Sequence, residues 1–256
     1  MTGAGSGIGR ELTLLLLSKG AKVAGVDLNP AALDQTSSLA GPLGAHFQKL
    51  VVNVADRPAV EALPAKIIAQ FGAVDCIVNN AGIIQPFTML NNLDYPVIER
   101  VFNVNLFGTL YMTKSFLPHL LQRPEAHIVN LSSMGGFLPV PGQTIYCAAK
   151  AAVKLMSEGL ASELLGTNVH VTVVFPGAVA TNIRGNSGLE AARESSGKTK
   201  ALSPAKAAQI IVRGIERNAP AVFVGKDSML MDKLHRLSPN LAARAIAKKM
   251  SGLLAS

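Results

Sequence analysis

Short apolar runs alternate along the chain with longer segments in which apolar residues recur at helical spacing. The apolar runs predict strands at residues 22–26, 47–52, 76–79, 127–131, 169–175 and 221–224. The intervening segments predict helices that begin near Gly9, Arg57, Leu93, Tyr146 and Pro204. Runs such as HIVNL and VHVTVVF are continuously apolar, as strands buried on both faces of a parallel sheet require. The pattern predicts an α/β fold, a doubly wound and mainly parallel sheet in three α/β/α layers.

The length and composition fit one such unit with a large core. The chain has 256 residues, of which 49% are hydrophobic and 16% charged. We expect a catalytic domain over residues 1–228 and a basic amphipathic tail over residues 229–256. The stretch 182–203 is rich in Gly, Ser and charge, so a substrate lid and a loose connection are both open interpretations.

The positive charge is concentrated near the end of the chain. The formal net charge is +8, and residues 198–256 hold 11 Lys and Arg against three acidic residues. A solvated basic face, an anionic membrane surface and an acidic ligand are all compatible with this excess. Only Phe223 adds an aromatic ring there, which argues against nucleic-acid binding. The tail itself is compatible with an interfacial helix, a subunit contact or a cover over the pocket.

Cysteine content and hydropathy bear on the compartment. Cys76 and Cys147 show no pattern of pairing, so we expect reduced thiols in a cytoplasmic protein. The longest apolar runs fall short of the roughly 20 residues that cross a bilayer, and no signal-peptide pattern is present.

A glycine-rich turn opens the chain. The segment TGAGSGIG, with Gly3, Gly7 and Gly9, leads directly into an apolar helix. Glycines allow a tight turn and close approach of a pyrophosphate, which the N-terminus of the helix attracts. Alone, the match is also compatible with an ordinary turn.

The position of this turn raises a question about the central strand. In doubly wound folds the glycine-rich turn follows the first strand, at the centre of the sheet. Here Thr2 and Gly3 follow Met1 directly. We therefore expect the first central strand to be missing from this chain and its start to be truncated.

An acidic residue ends the next predicted strand. Asp27 lies in VAGVD, about 20 residues past the glycines, where a carboxylate accepts hydrogen bonds from the adenosine ribose and repels a 2′-phosphate. This favours NAD over NADP, although a plain surface carboxylate is the alternative.

A third signal combines a serine, a tyrosine and a lysine. Tyr146 and Lys150 stand four residues apart in a predicted helix, so both project from one face. An ammonium group and a positive nicotinamide ring favour the phenolate, which would let Tyr146 act as a general base. Ser133 follows strand HIVNL and could steady a substrate oxygen.

Taken together, these motifs resemble the single-domain branch of the short-chain dehydrogenase/reductase family, which has a Rossmann fold. TGAGSGIG, NNAG, VNLFG, NLSS, YCAAK and PGAVAT match the family in order and spacing over about residues 1–225. The resemblance implies a catalytic tetrad of Asn105, Ser133, Tyr146 and Lys150, in which Asn105 kinks its helix and holds a proton-relay water. It implies cofactor contacts, besides Tyr146 and Lys150, at Gly3, Ser6, Gly7, Ile8, Gly9, Asp27, Leu28, Asn53, Val54, Asn80, Ala81, Gly82, Pro176, Gly177, Val179 and Thr181. Asn53 departs from the Asp that is usual in the family near the adenine amine.

The expected function is NAD-dependent interconversion of an alcohol and a ketone, without a metal. Met134, Phe137, Leu138, Val140 and Ile183 suggest an apolar substrate such as a steroid, a lipid-like or an aromatic alcohol. Arg184 is the nearest candidate for a carboxylate clamp. A homodimer or homotetramer is expected. A non-catalytic NAD-binding scaffold and a sugar-nucleotide epimerase or dehydratase are the alternatives.

Overall fold

The computed structural model describes residues 1–189 and 201–250. Its strands are β1 (Val23–Asp27), β2 (Phe47–Val51), β3 (Cys76–Asn79), β4 (Ala126–Leu131), β5 (Val169–Pro176) and β6 (Ala221–Val224). Its helices are α1 (Gly7–Ser18), α2 (Pro30–Ala40), α3 (Arg57–Glu61), α4 (Leu63–Phe71), α5 (Tyr95–Phe102), α6 (Gly108–Leu120), α7 (Thr144–Glu163), α8 (Ile183–Asn186), α9 (Pro204–Ile215), α10 (Lys226–Leu237) and α11 (Pro239–Met250). A π-helical turn at Asn103–Phe107 joins α5 to α6.

All strand pairs are parallel. One ladder joins β1 to β2, and a second runs in the order β3-β4-β5-β6. Because the strands are parallel and joined through helices, their carboxyl ends lie at one edge of each ladder. This edge carries Asp27, Asn79 and Leu131, the last residues of β1, β3 and β4.

Met1 and Thr2 bridge the two ladders. The Thr2 N–H donates to Val78 O at 2.9 Å, and the Val26 N–H donates to Met1 O at 2.8 Å. Thr2 also forms a parallel bridge with Val26. These two residues thus lie between β1 and β3, which is the place of the first central strand in a doubly wound sheet. That this strand is missing from the chain stays a prediction.

Helices cover both faces of the sheet. On one face, α1 and α9 bury Leu12 and Ile211 against Val129 of β4. On the other, α4 and α6 bury Leu63 and Phe116 with Ile77 and Ile128. This arrangement confirms the predicted three-layer α/β class, since each sheet face loses its apolar surface to a helix layer.

The tail forms a helical hairpin. The described chain after β6 folds into α10 and α11, which pack against each other. The domain boundary at residue 228 stays a prediction. Of the stretch 182–203, residues 182–189, which include α8, and residues 201–203 are described, whereas 190–200 lie outside the described residues. Within the described part of the chain, no helix has the length and hydropathy to cross a membrane.

Candidate active site

The glycine turn presents an open helix N-terminus to the cleft. Ser6 precedes α1 with extended backbone, and its side chain makes no capping hydrogen bond. Gly3 has φ +67°, and a Cβ there would lie 2.6 Å from Asn80 Nδ2. Glycine is therefore required at this position, and the uncapped N–H groups of α1 suit an anion such as a pyrophosphate.

Asp27 is fixed at the carboxyl end of β1. Its Oδ2 accepts a hydrogen bond from the Gly5 N–H at 2.9 Å, and its Oδ1 accepts one from the Asn29 N–H at 3.0 Å. The carboxylate thus joins the glycine turn to the start of α2. Further lone pairs on both oxygens stay available for hydroxyl donors.

The glycine turn, the strand ends and α7 enclose one cleft of about 960 Å³. Of the predicted site residues, those lining it are Gly3, Ser6, Gly7, Ile8, Asp27, Leu28, Asn53, Val54, Asn80, Ala81, Gly82, Ser133, Tyr146, Lys150, Pro176, Gly177, Val179 and Thr181. Gly9 instead packs closely against the Gly3 carbonyl, and Asn105 lies behind the cleft wall. A cleft of this size and lining fits a dinucleotide. Asn53, at the edge of this cleft, accepts a hydrogen bond at its Oδ1 from the Ala55 N–H at 3.0 Å.

Tyr146, Lys150 and Ser133 meet at one end of this cleft. Burial raises the pKa of the Tyr146 phenol to about 12, and a side-chain hydrogen bond with Ser133 acts in the opposite direction. Burial lowers the pKa of Lys150 to about 8. The Lys150 Nζ donates to Leu131 O at 2.8 Å. In the chain alone, the Ser133 hydrogen bond is therefore a contact that favours the phenolate.

Asn105 lies in the π-helical turn and forms two hydrogen bonds with the loop after β3. Its Nδ2 donates to Ile83 O at 2.8 Å, and its Oδ1 accepts from the Ile83 N–H at 3.1 Å. A Cβ at Gly82 would lie 2.7 Å from Asn105 Oδ1 and 3.3 Å from Lys150 Nζ. Asn105, in a π turn of the kind common at functional sites, and Lys150 thus both lie close to Gly82.

A buried chain of polar side chains runs behind Asn105. Asn79 Nδ2 donates to Asn130 Oδ1 at 2.8 Å and to Thr113 Oγ1 at 3.1 Å. Thr113 and Thr109 each donate to a carbonyl one helical turn earlier, and the carbonyl that Thr109 reaches is that of Asn105. These hydrogen bonds join β3, β4 and α6 beneath the site, and we call this set the polar chain.

Gln85, which no sequence motif indicated, is fully buried. The side chain of Gln143, the N-cap residue of α7, does not cap this helix. Instead, Gln85 Oε1 accepts from the N–H groups of Ile145 and Tyr146, at 2.9 and 3.0 Å. Its Nε2 donates to Gly142 O at 3.1 Å. A lone glutamine in the apolar run IIQPF was the available signal, because a buried amide must find partners.

The substrate end differs from the sequence expectation. Phe137 is partly buried and packs edge-on against Phe175, Leu138 is 1% exposed, and neither residue lines the cleft. Met134 and Val140 also do not line the cleft. Ile183 does line the cleft, together with Ile84, which the sequence analysis did not select.

Two polar contacts fix the segment around α8. Ser187 Oγ accepts from the Ile84 N–H at 2.9 Å, and Ser187 O accepts from Arg100 at 2.9 Å. The Arg184 guanidinium lies 5.8 Å from the centroid of the Phe87 ring. Arg184 is therefore engaged with an aromatic face rather than held in the cleft lining.

Comparisons with known proteins agree on one family. A family model described as short chain dehydrogenase matches residues 1–192. SadH of Mycobacterium tuberculosis, named as an oxidoreductase, is 38% identical over 256 residues, covering 96% of this chain and 92% of SadH. A crystal structure of a short chain dehydrogenase/reductase from Burkholderia phymatum in complex with NAD matches with a TM-score of 0.85 and 27% identity, over 94% of this chain and 93% of that one. Serine dehydrogenase complexed with NADP+ matches with a TM-score of 0.75 and 28% identity, over 83% and 86% of the two chains.

Proposed function

The chain belongs to the short chain dehydrogenase family, and we propose that it is an NAD-dependent enzyme that interconverts a secondary alcohol and a ketone. One observation carries this proposal. Ser133, Tyr146 and Lys150 line the same cleft as the open N-terminus of α1. A hydroxyl, a phenol and an ammonium group therefore face the space beside a dinucleotide-sized site, and we assign catalysis to them and to Asn105.

In the oxidative direction, Tyr146 accepts the proton of the substrate hydroxyl as a general base. Ser133 donates a hydrogen bond to the same substrate oxygen as negative charge develops on it. Lys150 would hold the ribose hydroxyls on the nicotinamide side. In the reductive direction, the Tyr146 phenol returns the proton to the oxygen of the ketone. When bound, the oxidised dinucleotide supplies the hydride acceptor and a positive ring beside the phenol.

The ionisation of Tyr146 limits the oxidative direction. A buried phenol with a pKa of about 12 is almost wholly protonated at neutral pH. The Ser133 hydrogen bond favours its ionised form. We therefore propose that oxidation accelerates with rising pH, whereas reduction, which starts from the neutral phenol, is favoured at lower pH.

We propose NAD rather than NADP as the cofactor. Asp27 supports this choice, because its carboxylate is held at the end of β1 and would repel a 2′-phosphate. We also propose contacts to the adenosine half from Leu28, Asn53, Val54 and Asn80, and to the nicotinamide half from Pro176, Gly177, Val179 and Thr181.

We propose an apolar substrate, such as a steroid, a lipid-like or an aromatic alcohol. Ile84 and Ile183 support this class, since both line the cleft beside the catalytic groups. Arg184, stacked on Phe87, offers no support for a carboxylate clamp. We also propose that the protein forms a homodimer or homotetramer. A cytoplasmic location is proposed as well, and the free thiols of Cys76 and Cys147 support it.

Turnover on a panel of secondary alcohols tests the proposal. NADH formation is followed by absorbance for the intact chain and for Tyr146→Phe, with NAD binding measured in parallel. We expect turnover by the intact chain, and NAD binding without turnover by the variant. Half of the original activity in Tyr146→Phe would refute the assignment of the base. NAD binding by the intact chain without turnover in either direction would favour a non-catalytic scaffold.

A further inference from the structure

The α10–α11 hairpin is fastened to the body of the protein by its inner face. Ser228, which is fully buried, donates a hydrogen bond to Phe175 O at 2.8 Å. The His235 ring lies 5.9 Å from that of Phe137, and Ala242 and Ile246 of α11 are buried. The hairpin is therefore an ordered surface element whose opposite face is turned to solvent.

The outer face of the hairpin combines large apolar side chains with cations. Leu230 and Leu237 of α10 are 66% and 86% exposed. Helical spacing places both leucines on one stripe with Lys226 and Lys233. The exposed large residues of this outer face are Lys226, Met229, Leu230, Lys233, Arg236, Leu237, Leu241, Arg244 and Lys248. Apolar and cationic side chains thus alternate across both helices.

The two acidic residues of the hairpin offset only part of this charge. Asp227 is directed inward, where its Oδ2 accepts from the Ala178 N–H at 2.8 Å. Asp232 is paired with Arg236 at 2.9 Å, and its side chain is only 16% exposed. Neither carboxylate therefore offsets the positive charge of Lys226 and Lys233 on the outer face.

We propose that this outer face binds an anionic lipid surface, with the hairpin lying in the plane of the membrane interface. Leucine and methionine side chains gain by entering the boundary between headgroups and acyl chains, while lysine and arginine gain from anionic headgroups. Either contribution alone gives weak binding, and the face supplies both.

Two other occupants fit this face less well. A second copy of the same face would bring like charges together, which opposes association. A nucleic acid would engage the cations, but the face carries no aromatic ring for base stacking, and its exposed leucines would gain little. An anionic membrane matches both the charge and the apolar character.

Co-sedimentation of the full chain with vesicles tests this inference. One set of vesicles is neutral phosphatidylcholine, and in the other about a third of the lipid is phosphatidylglycerol, which is anionic. We expect binding to the anionic vesicles to be at least about tenfold tighter, and to weaken by a similar factor in high salt, because the attraction is screened.

Paired variants separate the hairpin from the general surface. Leu230→Gln with Leu237→Gln removes apolar contacts, and Lys226→Gln with Lys233→Gln removes charge. Each pair is expected to weaken binding by about tenfold, since each removes one of the two contributions. Leu165→Gln and Lys22→Gln, at exposed positions remote in sequence, are the matched controls.

Melting temperature and NAD binding of all variants establish that the fold is retained. Any of these outcomes would overturn the inference: no binding of the intact chain to anionic vesicles, equal binding to neutral ones, or hairpin variants that bind like the controls. A concentration-dependent increase in mass that only the hairpin variants lose would identify the face as a contact between copies, which would also overturn it.

Discussion

Gln85 Oε1 accepts a hydrogen bond from the backbone N–H of Tyr146 at 3.0 Å, so a residue from the loop after β3 caps the helix that carries the proposed base. The same loop carries Asn80, Ala81 and Gly82 along the cleft. The capping contact therefore sets the position of Tyr146 relative to the cofactor side of the cleft.

Replacing Gln85 should affect turnover more than cofactor binding. Gln85→Met leaves the N–H groups of Ile145 and Tyr146 buried without a partner, at a cost of about 1–3 kcal/mol. We expect kcat to fall by about tenfold or more, because a small displacement of catalytic groups lowers the rate by such a factor. The affinity for NAD should be nearly unchanged. Steady-state kinetics and equilibrium binding measure the two effects, with the exposed Gln122→Met as control.

Gln85→Glu distinguishes a positioning role from a purely structural one. A glutamate retains an acceptor for both N–H groups but adds negative charge beside the start of α7, which disfavours the Tyr146 phenolate. We expect a lowered melting temperature, because the glutamate buries a charge and loses the donor to Gly142 O, together with a pH profile of oxidation displaced to higher pH. An unchanged profile in both variants would contradict a role in positioning Tyr146.

Asp27→Asn should change the choice of cofactor. The substitution removes the charge that disfavours a 2′-phosphate and weakens the contact with the Gly5 N–H. We expect the ratio of NADP to NAD affinity to rise by about tenfold or more, the effect of removing one close charge. Fluorescence titration of both dinucleotides provides the measurement. The control is Asp34→Asn, which removes an exposed carboxylate that is paired with Lys49. It should leave the ratio of NADP to NAD affinity unaltered.

Ser133→Ala should shift the pH dependence of oxidation. The Ser133 hydrogen bond lowers the pKa of Tyr146, so its loss raises that pKa further above neutrality. The alkaline rise of kcat/KM is then expected at higher pH, with activity at pH 7 reduced by about 10²-fold or more, as for loss of other oxyanion donors. A reduced rate with an unshifted profile would mean that Ser133 does not act on Tyr146. Ser162→Ala, near the far end of α7, is the control.

His127 should make stability depend on pH. Its Nε2 lies 2.7 Å from Thr172 Oγ1, whose hydroxyl donates to Ala219 O, so the ring nitrogen must be the donor. Burial, followed by the neighbouring His170, lowers the pKa of His127 to about 4. The neutral form is thus favoured in the folded state, and stability present above pH 6.5 should be lost as the pH falls towards 4.

Denaturant unfolding between pH 7 and pH 4 measures this loss. The shift corresponds to a few kcal/mol, at about 1.4 kcal/mol for each unit of pKa. In His127→Gln, the difference in unfolding free energy across this range should shrink. If the variant and the original chain lose equal stability on acidification, another group is responsible.

The residues proposed to carry the chemistry could be selected from the sequence because they occur in local patterns. The glycine turn, Asp27 at a strand end, and Tyr146 and Lys150 one turn apart all lie in contiguous segments. The helix α2 was missed because it is polar for much of its length, although Asn29 followed by Pro30 is a typical helix start, and the Asn29 side chain does cap it.

Contacts between distant segments could not be predicted in this way. Gln85 meets Tyr146 across about 60 residues of chain, and no spacing rule joins them. Phe137 was expected beside the substrate, but it packs edge-on against Phe175 and Phe223 and does not line the cleft. Apolar character predicts burial without saying on which side of a loop the burial occurs.

The polar chain that links Asn79 to the carbonyl of Asn105 limits how this enzyme can be redesigned. An aliphatic replacement at Asn79 or Asn130 would leave a hydrogen-bonding partner orphaned in the interior, whereas a cavity among leucines can be refilled by a larger neighbour. Heat-tolerant versions should therefore be sought by altering the aliphatic layers and loops. The amides and hydroxyls beneath the catalytic groups would have to be exchanged as a set.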